Sequence, residues 1–149
     1  MVLSLLSDAF IENAFIPQEY TCVGANISPK IEWQNAPSDT ESFALIMDDP
    51  DAPMGTWVHW IMFDIPSDVN DLNQDINLQS KNAKFGKNSW NKDEYGGPCP
   101  PSGTHRYFFK LYALDAKLNL PQGSTKSQLE QAMAGHILDQ AVLMGKFSK

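Results

Sequence analysis

Asp48-Asp49-Pro50-Asp51-Ala52-Pro53, followed shortly by Trp57-Val58-His59-Trp60-Ile61-Met62-Phe63, is the stretch that decides the fold. Its carboxylates sit on a segment stiffened by two prolines, since proline fixes φ and pushes the residue before it toward extended backbone. Apolar runs lie on both sides. Ser42 to Met47 and Trp57 to Ile65 read as strands, and the second is apolar on both faces except at His59 and Asp64, as a central strand covered on both sides would be. The two-residue period of a strand puts His59 on one face with Trp57, Ile61 and Phe63. Acidic residues between two buried strands are costly unless they hydrogen-bond or face a cavity. A second segment, Gly96-Gly97-Pro98-Cys99-Pro100-Pro101-Ser102-Gly103-Thr104-His105-Arg106-Tyr107, ends in another histidine. The two stretches read as opposite walls of one small polar pocket.

Outward from this pair, Arg106 to Leu114 is a further central strand with His105 at its entrance. Gly96 to Gly103 is a rigid loop whose backbone can approach a ligand closely. It lacks the Gly-Lys-Ser/Thr ending of a nucleotide-binding loop. Ser67 to Lys92 is polar, with weak apolar spacing at Leu72, Ile76 and Leu78, and reads as an irregular connection with one short strand around Ala83-Lys84-Phe85. Upstream, Ala9-Phe10-Ile11, Phe15-Ile16-Pro17 and Tyr20-Thr21-Cys22 read as short extended pieces, and Lys30 to Trp33 alternates as a half-buried strand does. One helix is expected over about residues 125–138. Thr125 caps it with Gln128 as the capping-box partner, and Leu129, Ala132, Met133, His136 and Ile137 form its apolar stripe. Ala141 to Phe147 either extends that helix or forms a last strand, with Gly145 as a breaker.

A chain of 149 residues is expected to form one domain over 1–149. Its net charge of −7 and pI near 4.7 argue against nucleic acid and anionic membranes as partners. No run is long enough to span a membrane, and Met1 to Asp8 lacks the basic start of a secretory signal, so the expected location is cytoplasmic. With that location, Cys22 and Cys99 are expected to stay reduced.

His59 and His105 each sit in a segment of unusual backbone chemistry, and Asp49 is the acid nearest a strand end. A carboxylate hydrogen-bonded to one histidine favours its protonated form. Two imidazoles and a few backbone N–H groups then suit a phosphate- or carboxylate-sized anion.

The residues from Asp49 to Pro53, Trp57-Val58-His59, and Gly97 to Tyr107 resemble the two signature segments of the phosphatidylethanolamine-binding protein family, in its bacterial and archaeal Raf-kinase-inhibitor-like branch. Tyr20-Thr21-Cys22, Ser28-Pro29 and Ala134-Gly135-His136 resemble the same branch. The resemblance implies a mainly β fold, a large central antiparallel sheet packed against a smaller one, with few helices and an anion pocket at one end of the large sheet. It implies Asp49, His59 and His105 as pocket residues, Asp51 as a brace of the turn, and Trp57, Gly97, Pro101 and Tyr107 as walls. It further implies a cis Ala52–Pro53 bond and favours the last strand. Eukaryotic members carry adjacent histidines and an additional C-terminal helix. Here Val58 replaces one histidine and no such helix follows, so their lipid binding and kinase inhibition do not carry over directly.

The expected function is non-enzymatic binding of a small anionic group, on a phosphorylated ligand or a phospholipid headgroup, with regulation of a kinase or protease partner as an extension. No cofactor and no metal are expected. Monomer and homodimer are both open. The competing readings are a hydrolase using Cys99, Ser102 or Thr104 with His105 as base, and a metal site of two histidines and Asp49.

Overall fold

A computed structural model describes residues 2–76 and 82–149, so Leu78 lies outside the described residues. In chain order the strands are β1 (Ser4–Leu6), β2 (Ile31–Gln34), β3 (Ser42–Asp49), β4 (Trp57–Pro66), β5 (Asp71–Leu72), β6 (Lys84–Phe85), β7 (Thr104–Leu114) and β8 (Ile137–Ser148), with one helix, α1 (Lys126–Met133), before β8. They form a five-stranded antiparallel sheet, β6-β4-β3-β7-β8, and a three-stranded one, β1-β2-β5. The mainly β, two-sheet expectation is met.

All eight residues of β3 are buried, and β4 is nearly so, because the large sheet is covered on both faces. On one face Phe43, Leu45, Met47, Trp60, Met62, Tyr107 and Phe109 pack with Trp33, Ile31 and Leu72 of the small sheet. On the other, Ala44, Ile46, Ile61 and Phe63 pack against Leu129 and Met133 of α1. β8 is an edge strand, and an open edge invites pairing with another chain. The N-terminal segment closes much of it. Asn13 and Ile16 donate to the carbonyls of Met144 and Lys146, and Lys146 N–H donates to Ala14. Gly145 is therefore no breaker, since a Cβ there would sit 2.6 Å from Ile16 and 2.8 Å from Phe10.

The structure corrects several local expectations. Ser4–Leu6 is a strand paired with β2, whereas the pieces around residues 9–22 are mostly turns, with a 3-10 turn at Gln18–Tyr20. The Thr125–Gln128 capping box is present as expected, but α1 stops at Met133. Ala134-Gly135-His136 forms the turn into β8, where Gly135 has φ +82°. His136 is exposed and bonds Asp115 instead of joining an apolar stripe. The Ala52–Pro53 bond is trans, with no cis peptide among the described residues.

Cys22 and Cys99 are joined in a disulfide, which overturns the expectation of two thiols. The pairing follows from tertiary proximity. The Cys22 N–H donates to Pro98, Gly97 N–H donates to Asn26 Oδ1, and Tyr95 Oη donates to the Tyr20 carbonyl, so the two loops are already laid side by side. Thiol counting on unreduced, denatured protein should find no free cysteine. Cys22→Ala should lower stability by about 2–4 kcal/mol in chemical denaturation, the usual contribution of a disulfide that closes a long loop.

Candidate functional site: an Asp–His cavity

Asp48 and Asp49 end β3 and point to opposite faces of the sheet. Asp48, 1% exposed, faces the helix side, where Lys110 Nζ and Lys126 Nζ donate to it at 3.2 and 3.0 Å. Asp49, 3% exposed, faces the small-sheet side. Its Oδ2 accepts from His105 Nδ1 at 2.7 Å, and its Oδ1 accepts from the backbone N–H of Asp51 at 2.8 Å, so one carboxylate holds both the ring and the turn.

His59 reaches the same side through a β-bulge. Met47 pairs with Trp60 but Asp48 pairs with Val58, which leaves His59 as the extra residue on β4. Such a bulge breaks the strict alternation of sides. His59 therefore lies against Tyr107, with ring centroids 5.2 Å apart, and not on the face of Ile61 and Phe63, which pack toward α1. The two-residue period misplaced it for this reason.

The rest of the wall is the chain from Gly86 to Gly103. Gly96 N–H donates to the His59 carbonyl at 2.9 Å, and the His59 Nδ1–H donates to the Gly96 carbonyl at 2.7 Å. Ser89 clasps Val58 the same way, by backbone and by Oγ. Trp90 stands edge-on to both Trp57 and His59. Together these elements enclose a cavity of about 290 Å³ lined by Asp49, His59, His105, Trp57, Tyr107 and Pro101, with Ala52, Pro53, Met54, Trp90, Cys99 and Pro100 completing it.

Six of the eight residues expected at the site thus converge. The other two lie behind the wall. Asp51 accepts from the backbone N–H, Nε and Nη2 of Arg106, at 2.9, 2.9 and 2.8 Å, tying the turn to β7. Gly97 lines a neighbouring recess, and a side chain there would run into the Tyr20 carbonyl. Trp90 and Met54 were missed. Trp90 lies in the polar connection, where a lone tryptophan among Asn and Lys was the available signal.

The electrostatics follow from burial. Desolvation pushes the His59 pKa below its ordinary value, opposed by the Gly96 carbonyl and the Asp49 charge. The Tyr107 phenol is raised, by burial first and by Asp49 next. Its hydroxyl is buried and has no acceptor among the described residues, while the Cys99 backbone near its oxygen partly offsets the rise. Trp57 Nε1 is likewise buried and unpartnered. Arg106 holds Asp51 at about 2.

Chemically, Cys99 has no thiol to act as a nucleophile, and neither Ser102 nor Thr104 lines the cavity. Both oxygens of Asp49 accept hydrogen bonds, from the Asp51 N–H and from His105 Nδ1. No cluster of three metal-ligating side chains occurs among the described residues.

A two-sheet β fold with an Asp–His cavity at one end of the large sheet defines a class of small binding domains, and comparison with known proteins places the chain within it. The family description "Phosphatidylethanolamine-binding protein" matches residues 6–148. The UPF0098 protein of Methanothermobacter thermautotrophicus is 43% identical over 150 residues, covering 99% of each chain. The UPF0098 protein of Aquifex aeolicus is 44% identical over 99% of this chain and 90% of its own. Among solved structures, the phosphatidylethanolamine-binding protein homologue CT736 of Chlamydia trachomatis superimposes with a TM-score of 0.94 at 38% identity, covering 99% of this chain and 98% of its own. YbcL of E. coli superimposes with 0.91 at 27% identity, covering 100% and 99%. The chain belongs to the phosphatidylethanolamine-binding protein family.

The Asp51–Arg106 pair has a measurable signature. Carboxyl NMR should place the Asp51 pKa near 2, and Arg106→Gln should return it toward the ordinary carboxylate value of about 3.9. Because the folded pKa is depressed, the pair's contribution to stability is complete above the unfolded value and is lost as pH falls through about 2.

Proposed function

We propose that the cavity captures a small anionic group, of the kind carried by a phosphorylated metabolite or a phospholipid headgroup, by binding without catalysis. The observation that carries this reading is the convergence of His59, His105 and Tyr107 on one cavity, with both histidine Nδ1 atoms already engaged by Gly96 and Asp49. The Tyr107 hydroxyl is buried without an acceptor among the described residues, a state that costs about 1–3 kcal/mol and that a ligand oxygen able to reach it would relieve. His105 supports it. With Nδ1 held by Asp49, the polar atom its ring has left for a ligand is Nε2.

The apolar character of the remaining wall favours a group with an organic body over a bare hydrated ion. Pro53, Met54, Trp90, Pro100 and Pro101 offer apolar surface but no charge. Met54 is 94% and Trp90 41% exposed, so the same surface continues outside the mouth. A protein partner, such as a kinase or protease regulated through this domain, would meet that rim.

Titration with inorganic phosphate at pH 6 to 7, followed by NMR, should move the signals of His59, His105 and Tyr107 together. Tyr107→Phe should weaken binding by about 1 kcal/mol, roughly fivefold, the usual net contribution of one hydrogen bond. His105→Gln should weaken it as well. Signals that move elsewhere on the surface, with both variants binding as the parent does, would overturn the reading.

A further inference from the structure

Hydrogen-bond geometry fixes the tautomers of both cavity histidines. The Gly96 carbonyl can only accept, so at 2.7 Å the proton must be on His59 Nδ1. The Asp49 carboxylate accepts in the same way from His105 Nδ1. In its neutral form each ring therefore turns an unprotonated Nε2, an acceptor, toward whatever shares the cavity. An anion is also an acceptor, and two acceptors in contact need a proton between them.

The charges around His59 do not supply that proton in advance. Asp49 approaches from β3, and His105 and Tyr107 from β7. Asp48, on the far face, is taken by Lys110 and Lys126, and Asp51 is taken by Arg106. From the loop side His59 meets the carbonyls of Gly96 and Gly97 and the edge of Trp90. No lysine or arginine lines the cavity, and its one carboxylate offsets one protonated imidazole. A dianion entering this site finds no net positive charge.

Resting on the anion-capture reading above, we infer that the site binds an oxyacid group together with one proton, held between a ligand oxygen and His59 Nε2. It thereby selects singly charged acids over full dianions. An acid phosphate or phosphonate brings the proton with it. A group that cannot, such as sulfate, meets His59 Nε2 favourably only as that ring itself becomes protonated. Burial depresses the His59 pKa below its ordinary value, which favours the neutral ring in the free protein, so protonation on binding draws a proton from solvent. The sign follows. Affinity for sulfate falls as pH rises from the free His59 pKa to the higher value that the bound anion imposes.

The test is calorimetric titration with sulfate and with phosphate at pH 7 and pH 8, each in two buffers of different ionisation heat. Expected is an uptake of about one proton per sulfate and an affinity about tenfold lower at pH 8 than at pH 7. At pH 8, where phosphate is mostly dianion, it should also take up about one proton, shared by ligand and site. His59→Gln, whose amide offers a donor at any pH, should still bind sulfate but lose most of the uptake and the pH dependence. Sulfate binding in the parent with no buffer dependence and equal affinity at both pH values would overturn the proton-coupled inference while leaving anion capture standing. Failure of every anion to bind between pH 6 and 8 would remove both.

Discussion

Two consecutive buried carboxylates govern this structure. Asp48 and Asp49 end the most deeply buried strand and point to opposite faces, and neither charge is tolerable in an apolar layer without partners. Lys110 and Lys126 meet the first, which pins α1 to β7 across one face. His105 and the Asp51 amide meet the second, which pins the Asp-Pro turn to the start of β7 across the other. The same demand for partners thus orients the helix on one side and builds the cavity floor on the other.

The cavity depends on rigidity more than on charge. Prolines 50, 53, 98, 100 and 101 remove backbone freedom from both rims, the disulfide joins the second rim to the N-terminal loops, and Gly97 lets that rim lie directly on the Tyr20 carbonyl. Little ordering remains to be done when a ligand enters, and ordering is a main cost of binding. The walls are mostly apolar, so the few polar atoms in them act in a low local dielectric, where each hydrogen bond is stronger and each unpaired group more costly. On the anion-capture reading proposed above, this is how a chain of net charge −7 would hold an anion at one point against its overall field.

The bulge at His59 shows how a sheet makes a site. Regular alternation would have sent the ring toward α1, with Ile61 and Phe63. One extra residue in β4 opposite Asp48 places it instead beside Tyr107. The Gly96 backbone then clasps it from both its N–H and its carbonyl, so the strand edge and the loop behave as one unit.

The mainly β class followed from the family resemblance, whereas the central strands, the capped helix start and the proline-flanked segments that carry Asp49, His59 and His105 stood out in the residues themselves. These are legible because apolar runs, prolines and capping residues act locally and leave a pattern in order along the chain. The side on which His59 falls, the halt of α1 at Met133, the strand at Ser4–Leu6 and the role of Trp90 were not legible. Each depends on a partner elsewhere in the fold: the Asp48 register, the pairing of Ile137 with Leu114 of β7, the edge of β2, and the rings of Trp57 and His59. The disulfide belongs with these, since only the juxtaposition of two loops 77 residues apart decides whether Cys22 meets Cys99. Spacing along a chain records local preference, whereas pairing across space is decided when the whole core packs.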